Sequence, residues 1–321
     1  MSMEHNHRPN VGSSTDASKE ITSRMKVSFW VPARDKEGKI HITVKSVLEQ
    51  TYEGMEILLS DQGSTDKTYE IMEKIASEYK GPNEVKLLKC PDTDFKGMAG
   101  FNRHMKWLHD QTDADLIIVT SADDWNHPDR ARRIVETYLE HKPSLIGTAI
   151  NFVQPDGSYT GTTAYPNENR FVTAREHLER LVGGSSSMAW TREFYNKVGF
   201  IPHSVIVDVY YPLLATQMNG FYFLYEPLYA YIKYADPNNT GLEGIHRAAD
   251  ETGKRQLEEI MSYQISTTLY AAGAKMDELN QPFEDDSHQA LMQQILITAY
   301  TWARTRDRLS MEKINPIPLR V

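Results

Sequence analysis

The sequence of 321 residues is poor in cysteine, in long apolar runs and in excess positive charge. Its single cysteine, Cys90, cannot form a disulfide within the chain or build a cysteine zinc site, which favours a reducing cytoplasm. No apolar stretch approaches the roughly 20 residues that cross a bilayer. The net charge of −9 disfavours a broad basic face for duplex nucleic acid. We therefore expect a cytoplasmic protein that is not transmembrane.

Two sequence signals are also missing. The first 24 residues lack the apolar core of a signal peptide, and we expect them to form a disordered leader. No Gly-x-Gly-x-x-Gly follows the first predicted strand, which disfavours a dinucleotide dehydrogenase. The chain does have the composition of a globular protein, with 40% hydrophobic and 25% charged residues. Its length allows one large α/β unit with an appendage.

An acidic pair follows a short apolar run near the middle of the chain. Asp123 and Asp124 come after the run 115–119, and Pro128 is suited to start the next helix. Ligands bind at the carboxyl ends of strands in open α/β sheets, and paired acids there can hold a divalent cation and, through it, a diphosphate. The alternative is that Asp124 and Asn126 cap the helix.

Two other predicted strands end in polar residues in the same way. Asp61 ends a strand, Gly63 allows a tight turn, and Ser64 or Thr65 is suited to cap the helix that follows. Farther upstream, the first strand runs into a polar segment at 32–35. Three such strand ends at one sheet edge predict a site.

The alternation of apolar strands and amphipathic helices predicts a mainly parallel sheet covered on both faces. Mostly helical patterning follows residue 242. The strands are predicted near 27–31, 55–60, 85–89, 116–120 and 145–152, and the helices near 40–51, 66–79, 97–110 and 128–141.

Three motifs occur in order over the first 70 residues: Pro-Ala-Arg-Asp at 32–35, Ser-Val-Leu-Glu-Gln-Thr-Tyr at 46–52 and Asp-Gln-Gly-Ser-Thr-Asp-Lys-Thr at 61–68. Together they resemble the inverting family-2 glycosyltransferases of GT-A fold. The resemblance implies an α/β nucleotide-diphospho-sugar transferase fold, with a mainly parallel central sheet and helices on both faces. The helical patterning after residue 242 adds a helical C-terminal extension to this expectation. It covers about the first 140 residues and, more loosely, continues to about residue 240.

The resemblance also implies a division of the chain. We expect a leader at 1–24, a GT-A domain at 25–240, and a lid segment with a helical extension at 241–321. Within the domain, 25–140 would form the nucleotide-binding half and 141–240 the acceptor half.

The same resemblance implies which residues bind the nucleotide. Pro32, Ala33 and Arg34 resemble the segment that lines the base, and Asp61 resembles the acid that accepts a hydrogen bond from it. The alternative for Asp61 is a residue of a helix-capping turn. Arg103 and Lys233 resemble later family positions that contact the diphosphate, although Arg103 is equally compatible with a surface helix.

For the cofactor, the resemblance implies Mn²⁺ or Mg²⁺ bound by Asp123. The chain departs from the family here, because Ser121 replaces the first acid of Asp-x-Asp; Ser121 and Ala122 are still expected beside the nucleotide. Asp124 is expected outside the cation's direct ligands or as a helix cap. His246, in a predicted lid at 235–247, is a further candidate metal ligand.

For the general base, the resemblance implies Asp208, with Val207 in place of the acid that usually precedes it. Apolar neighbours would raise its pKa toward that of a useful base. The alternative is a helix N-cap.

These assignments predict transfer of a sugar from a nucleotide-diphosphate donor, UDP-linked, to an acceptor hydroxyl with inversion. Glycans, lipid-linked glycans, proteins and modified nucleobases are all compatible acceptors. The alternatives are a degenerate relative that binds nucleotide or glycan without turnover, and a sugar-1-phosphate nucleotidyltransferase. An apolar stripe at 291–302 is expected to pack on the domain or in a homodimer, rather than to contact a membrane peripherally.

Overall fold

The computed structural model describes residues 25–94, 97–163, 165–199, 205–234, 251–279 and 295, with residues 98 and 251–263 described by backbone alone. The predicted leader, the predicted lid with His246, and most of the C-terminal stripe lie outside these residues. Among the described helices, none is long and apolar enough to cross a membrane.

One ten-stranded mixed sheet organises this part of the chain. The main path runs β3-β2-β1-β4-β9-β6-β10-β5, with β7 paired to β6 and β8 paired to β10. The strands are β1 Val27–Ala33, β2 Glu56–Asp61, β3 Glu84–Lys89, β4 Leu116–Val119, β5 Trp125–Asn126, β6 Leu145–Val153, β7 Tyr159–Thr162, β8 Arg170–Val172, β9 Met188–Thr191 and β10 Phe221–Ile232.

The helices cover the sheet and agree closely with the predicted positions in the first half. They are α1 Ile40–Leu48, α2 Thr68–Glu78, α3 Gly97–Asp110, α4 Arg130–His141, α5 Ala174–Arg180, α6 Arg192–Val198, α7 Val207–Ala215 and α8 Glu251–Leu279, with a 3₁₀ helix at Ser185–Ser187.

Alternate residues of the central strands fill two separate cores. Trp30 and Leu58 belong to the core on one face, whereas Phe29 and Ile57 belong to the core on the other. Side chains of a strand point alternately to opposite faces, so a strand that is apolar at every position must be buried on both sides. The short apolar runs of β1, β2 and β4 are therefore typical of the centre of such a sheet.

The sheet differs from the predicted one in its second half. β9 lies antiparallel between β4 and β6, although β4 and β6 themselves point the same way. The twelve-residue β10 pairs in parallel with β6, with register shifts between Leu224 and Tyr229. Because these irregularities fall at Pro227, they break the period-two pattern by which a long strand is recognised in sequence. β10 was not among the predicted strands, whereas the alternative of a core-facing strand at Met188 and Trp190 is confirmed by β9.

Candidate active site

The loops that follow β1 and β2 contact each other directly. The Asp35 backbone N–H donates to Ser64 Oγ at 2.9 Å, and the Thr65 N–H donates to Asp35 Oδ1 at 2.7 Å. The predicted convergence of these two strand ends is therefore present. The predicted helix cap at Ser64 or Thr65 is wrong, since α2 begins at Thr68 and its N–H is bound by Asp66 Oδ1 at 3.0 Å.

Asp61 is the last residue of β2 and is only 4% exposed. Its Oδ2 accepts from the Ser64 N–H at 3.0 Å, and its Oδ1 accepts from the Ser64 hydroxyl. Gly63, between them, has φ +68°, a backbone conformation that suits glycine. The carboxylate is thus held at the strand end by the turn that follows it.

The segment predicted to line the base lies beside Asp61. Ala33 is in register with Asp61 across the parallel β1–β2 pair, and Pro32 is in register with Ser60. Both residues are buried. Arg34 is half-buried beside Asp35, and its charge adds to burial in lowering the pKa of His104 to about 3.

Asp123 follows β4 and is 7% exposed. Its Oδ2 lies 2.8 Å from the Lys36 ammonium, which comes from the loop after β1. The third predicted strand end therefore joins the other two through an ion pair.

Asp124 is buried rather than placed as a helix cap. Its Oδ1 accepts from the Ile232 N–H at 2.7 Å, and its Oδ2 accepts from the Tyr229 hydroxyl. Burial and the neighbouring Asp123 carboxylate raise the pKa of Asp124 to about 8. The capping alternative is wrong, because the residue before α4 is Asp129. Asp124 instead ties the end of β4 to the end of β10.

The 3₁₀ helix at Ser185–Ser187 connects the predicted base, Asp208, to the segment 121–124 after β4, which we call the acidic tip. The Ser186 hydroxyl lies 2.5 Å from the Ser121 hydroxyl, and the Ser185 N–H donates to Asp208 Oδ1 at 2.6 Å. Asp208 lies in the first turn of α7, half-buried, and burial raises its pKa. Its N-cap alternative is wrong, since Ile206 takes that position.

Sequence reasoning missed Arg130, a fully buried residue beneath this connection. Its guanidinium donates to the carbonyls of Val119 and Ser186, each at 2.9 Å, and to Asn126 Oδ1. It also lies 5.2 Å from the ring centroid of Tyr229. Burial lowers the pKa of Arg130 to about 10. Arg130 joins the end of β4 to the 3₁₀ helix and therefore positions Ser121 and Asp208 relative to each other.

The two cations predicted near the diphosphate lie in different places. Arg103 forms an ion pair with Asp92 at 2.9 Å, and the Asp92 carbonyl accepts from the Gln62 side chain at the end of β2. Lys233 lies just after β10, with its ammonium 5.0 Å from the Phe152 ring centroid. Arg103 therefore approaches the Asp61 turn, whereas Lys233 lies on the β6 side of the site.

The donor set for a cation is small. Within the described residues, no group of three His, Cys, Asp or Glu side chains surrounds a common point, and His246 lies outside them. Asp123 would contribute one carboxylate to such a site. One carboxylate fits the way Mg²⁺ is usually bound beside nucleotides, where substrate phosphates and waters complete the coordination.

Comparison with known families shows which family the chain belongs to. The model of "Glycosyl transferase family 2" matches residues 28–200, which contain all three strand ends and the 3₁₀ helix. The chain belongs to this family. Asp208 lies just beyond the matched range.

One curated relative and several solved structures are similar to this family member. An uncharacterised glycosyltransferase of Haemophilus influenzae is 25% identical over 155 residues, 48% of this chain and 55% of the relative. The chain thus spans about half the length of that relative. S. aureus TarS 1–349 with UDP-GlcNAc has a TM-score of 0.55 at 14% identity, covering 88% of this chain and 92% of TarS. A Pyrobaculum calidifontis mannosyltransferase with GDP-Man and Mn²⁺ has a TM-score of 0.50 at 14% identity, covering 88% and 75%. These structures show the shared GT-A fold.

Removing the Arg130 guanidinium should destabilise the protein. Arg130→Met leaves two carbonyls and the Asn126 amide oxygen buried without their donor, so we expect the free energy of unfolding to fall by about 3 kcal/mol. Urea unfolding measures this change.

Arg132→Met is the matched control on the same helix. Arg132 is 40% exposed and pairs with Asp129 and Glu136 at the surface, so its loss should cost less than about 1 kcal/mol. Equal destabilisation by the two variants would contradict the role assigned to Arg130.

Proposed function

We propose that this protein transfers a sugar from a UDP-linked donor to an acceptor hydroxyl with inversion of the anomeric configuration. The observation that carries the proposal is the connection from Ser121, two residues before Asp123, through the 3₁₀ helix to Asp208. It joins a candidate diphosphate site to a candidate base. UDP-GlcNAc in TarS and GDP-Man with Mn²⁺ in the mannosyltransferase support a nucleotide-sugar donor for the same fold.

The nucleoside would bind between the ends of β1 and β2. Pro32, Ala33 and Arg34 would line the base, and Asp61 would accept a hydrogen bond from a base N–H. Asp61 already accepts two hydrogen bonds from Ser64, but its two oxygens offer about four acceptor positions. The held carboxylate is therefore preorganised and retains capacity for the base.

The diphosphate would bind along the tip that follows β4. Ser121 and Ala122 would contact the nucleotide, and Asp123 would bind Mn²⁺ or Mg²⁺, which supplies positive charge to the leaving diphosphate. Arg103 and Lys233 would approach the diphosphate from opposite sides, after leaving their present partners. His246 would add a ligand if the lid segment closes over the donor.

Asp208 would remove the proton from the acceptor hydroxyl as the hydroxyl attacks C1. The proton moves to a carboxylate oxygen, a bond forms from the acceptor oxygen to C1, and the bond from C1 to the diphosphate oxygen breaks. Attack from the face opposite the leaving group inverts the configuration, so no covalent enzyme intermediate is required. The raised pKa of Asp208 makes it a stronger base than an exposed aspartate.

The division of the chain follows from these roles. We assign residues 25–140 to binding of the nucleotide donor and 141–240 to binding of the acceptor. Residues 241–321 would form the lid segment and the helical extension. The acceptor is a hydroxyl of a glycan, a lipid-linked glycan, a protein or a modified nucleobase. Because the only thiol is the buried Cys90, we place the reaction in the cytoplasm.

Calorimetric binding of UDP and GDP, each with and without Mn²⁺, tests the donor class. We expect UDP to bind more tightly than GDP, and Mn²⁺ to strengthen binding in the wild type but not in Asp123→Ala. Asp156→Ala is the control, because Asp156 is an exposed carboxylate in the turn after β6. If neither nucleotide binds under any condition, the donor proposal is wrong and a non-catalytic relative becomes the better account.

Asp208→Asn tests the base. The amide oxygen can still accept from the Ser185 N–H, so nucleotide affinity should be unchanged while donor turnover falls by about 10²- to 10⁴-fold. In the wild type, turnover should rise with pH as Asp208 loses its proton, and the midpoint should lie above the ordinary aspartate pKa of about 4.

The pH dependence of UDP release from the donor measures both effects. If Asp208→Asn keeps full turnover with the same pH profile, Asp208 is not the base.

A further inference from the structure

Lys36 pairs with Asp123, the carboxylate that is the candidate metal ligand. Its ammonium lies 2.8 Å from Asp123 Oδ2, and the two side chains are only 15% and 9% exposed. Few exposed ion pairs contribute measurably to stability, but a pair this shielded from water is screened much less. The site therefore already contains one positive charge at the position where charge neutralisation is needed.

The position of Lys36 is fixed by its loop. Its backbone N–H donates to Thr68 Oγ1 at 2.6 Å, and the next N–H, from Glu37, donates to Asp66 Oδ2 at 3.0 Å. These bonds anchor the loop after β1 to the start of α2, so the Lys36 backbone stays close to Asp123. The four-carbon side chain remains free to redirect its ammonium within this small region.

The neighbouring cations have other contacts. The Lys39 ammonium lies 4.4 Å from the ring centroid of Tyr234, and Arg34 lies beside Asp35. At the tip itself, Ser121 stands where a second carboxylate would increase the charge available to a cation. Lys36 and a divalent ion at Asp123 would therefore compete for the same carboxylate.

We propose that Lys36 is a second cationic partner of the donor diphosphate. In the free protein it neutralises Asp123; when nucleotide binds, its ammonium turns to a phosphate oxygen and releases Asp123 to the metal ion. Without a divalent ion, Lys36 binds the diphosphate through a charge-assisted hydrogen bond, in addition to the contacts proposed for Arg103 and Lys233. This inference rests on the proposed nucleotide donor and predicts a reduced dependence of binding on the divalent ion.

The test is UDP binding by calorimetry, with and without Mn²⁺, to wild type and to Lys36→Met. The variant should lose about tenfold in affinity without Mn²⁺, because the diphosphate loses one of its cationic partners. With Mn²⁺ the affinity should change little, because the metal ion no longer competes with an ammonium for Asp123. The ratio of the dissociation constant without Mn²⁺ to that with Mn²⁺ should therefore be about tenfold larger in Lys36→Met than in the wild type.

Two further variants make the outcome specific. Lys36→Arg retains a charge and should keep the ratio near that of the wild type, whereas Lys45→Met removes an exposed lysine from α1 and should change nothing. An unchanged or smaller ratio in Lys36→Met overturns the inference while leaving the donor proposal intact. Failure of the wild type itself to bind nucleotide overturns both.

Discussion

The buried guanidinium of Arg130 is the interaction on which the candidate site depends. It binds the carbonyl at the end of β4 and the carbonyl of Ser186, and these two groups lie on either side of the Ser121–Ser186 contact. A buried cation is costly unless it is hydrogen-bonded, and the three acceptors around the two terminal nitrogens offset part of this cost, although Nε has no partner among the described residues. Through this one side chain, the end of β4 is joined to the 3₁₀ helix whose Ser185 N–H binds the predicted base.

The two acids after β4 have different surroundings. Asp123 pairs with Lys36, whereas Asp124 is buried against Tyr229, and burial together with the Asp123 carboxylate raises the pKa of Asp124. A nucleoside diphosphate brings negative charge and must find cations. In the proposed mechanism, Lys36 and a divalent ion at Asp123 would supply these cations, and the tip would then bind a diphosphate with serine at position 121.

The part of the structure that sequence predicts well is the part governed by local pattern. The apolar runs predicted β1, β2 and β4. Because the carboxyl ends of parallel strands lie at the same edge of a sheet, the residues that follow these strands are expected to lie close together. Arg130 was not predictable, because Arg-Ala-Arg-Arg at 130–133 is typical of a solvated helix. Its burial depends on Ser186, 56 residues away. The Lys36–Asp123 pair likewise spans 87 residues and has no local signal.

The most direct test of the account is the anomeric configuration of the first sugar released when an α-linked UDP-sugar is slowly hydrolysed by the protein, with water as the acceptor. Proton NMR before mutarotation separates the two anomers. The proposed inverting mechanism predicts that the β anomer is released first, since a water molecule activated by Asp208 attacks C1 from the face opposite the diphosphate. The α anomer first would contradict it, because that outcome requires two displacements or attack from the same face.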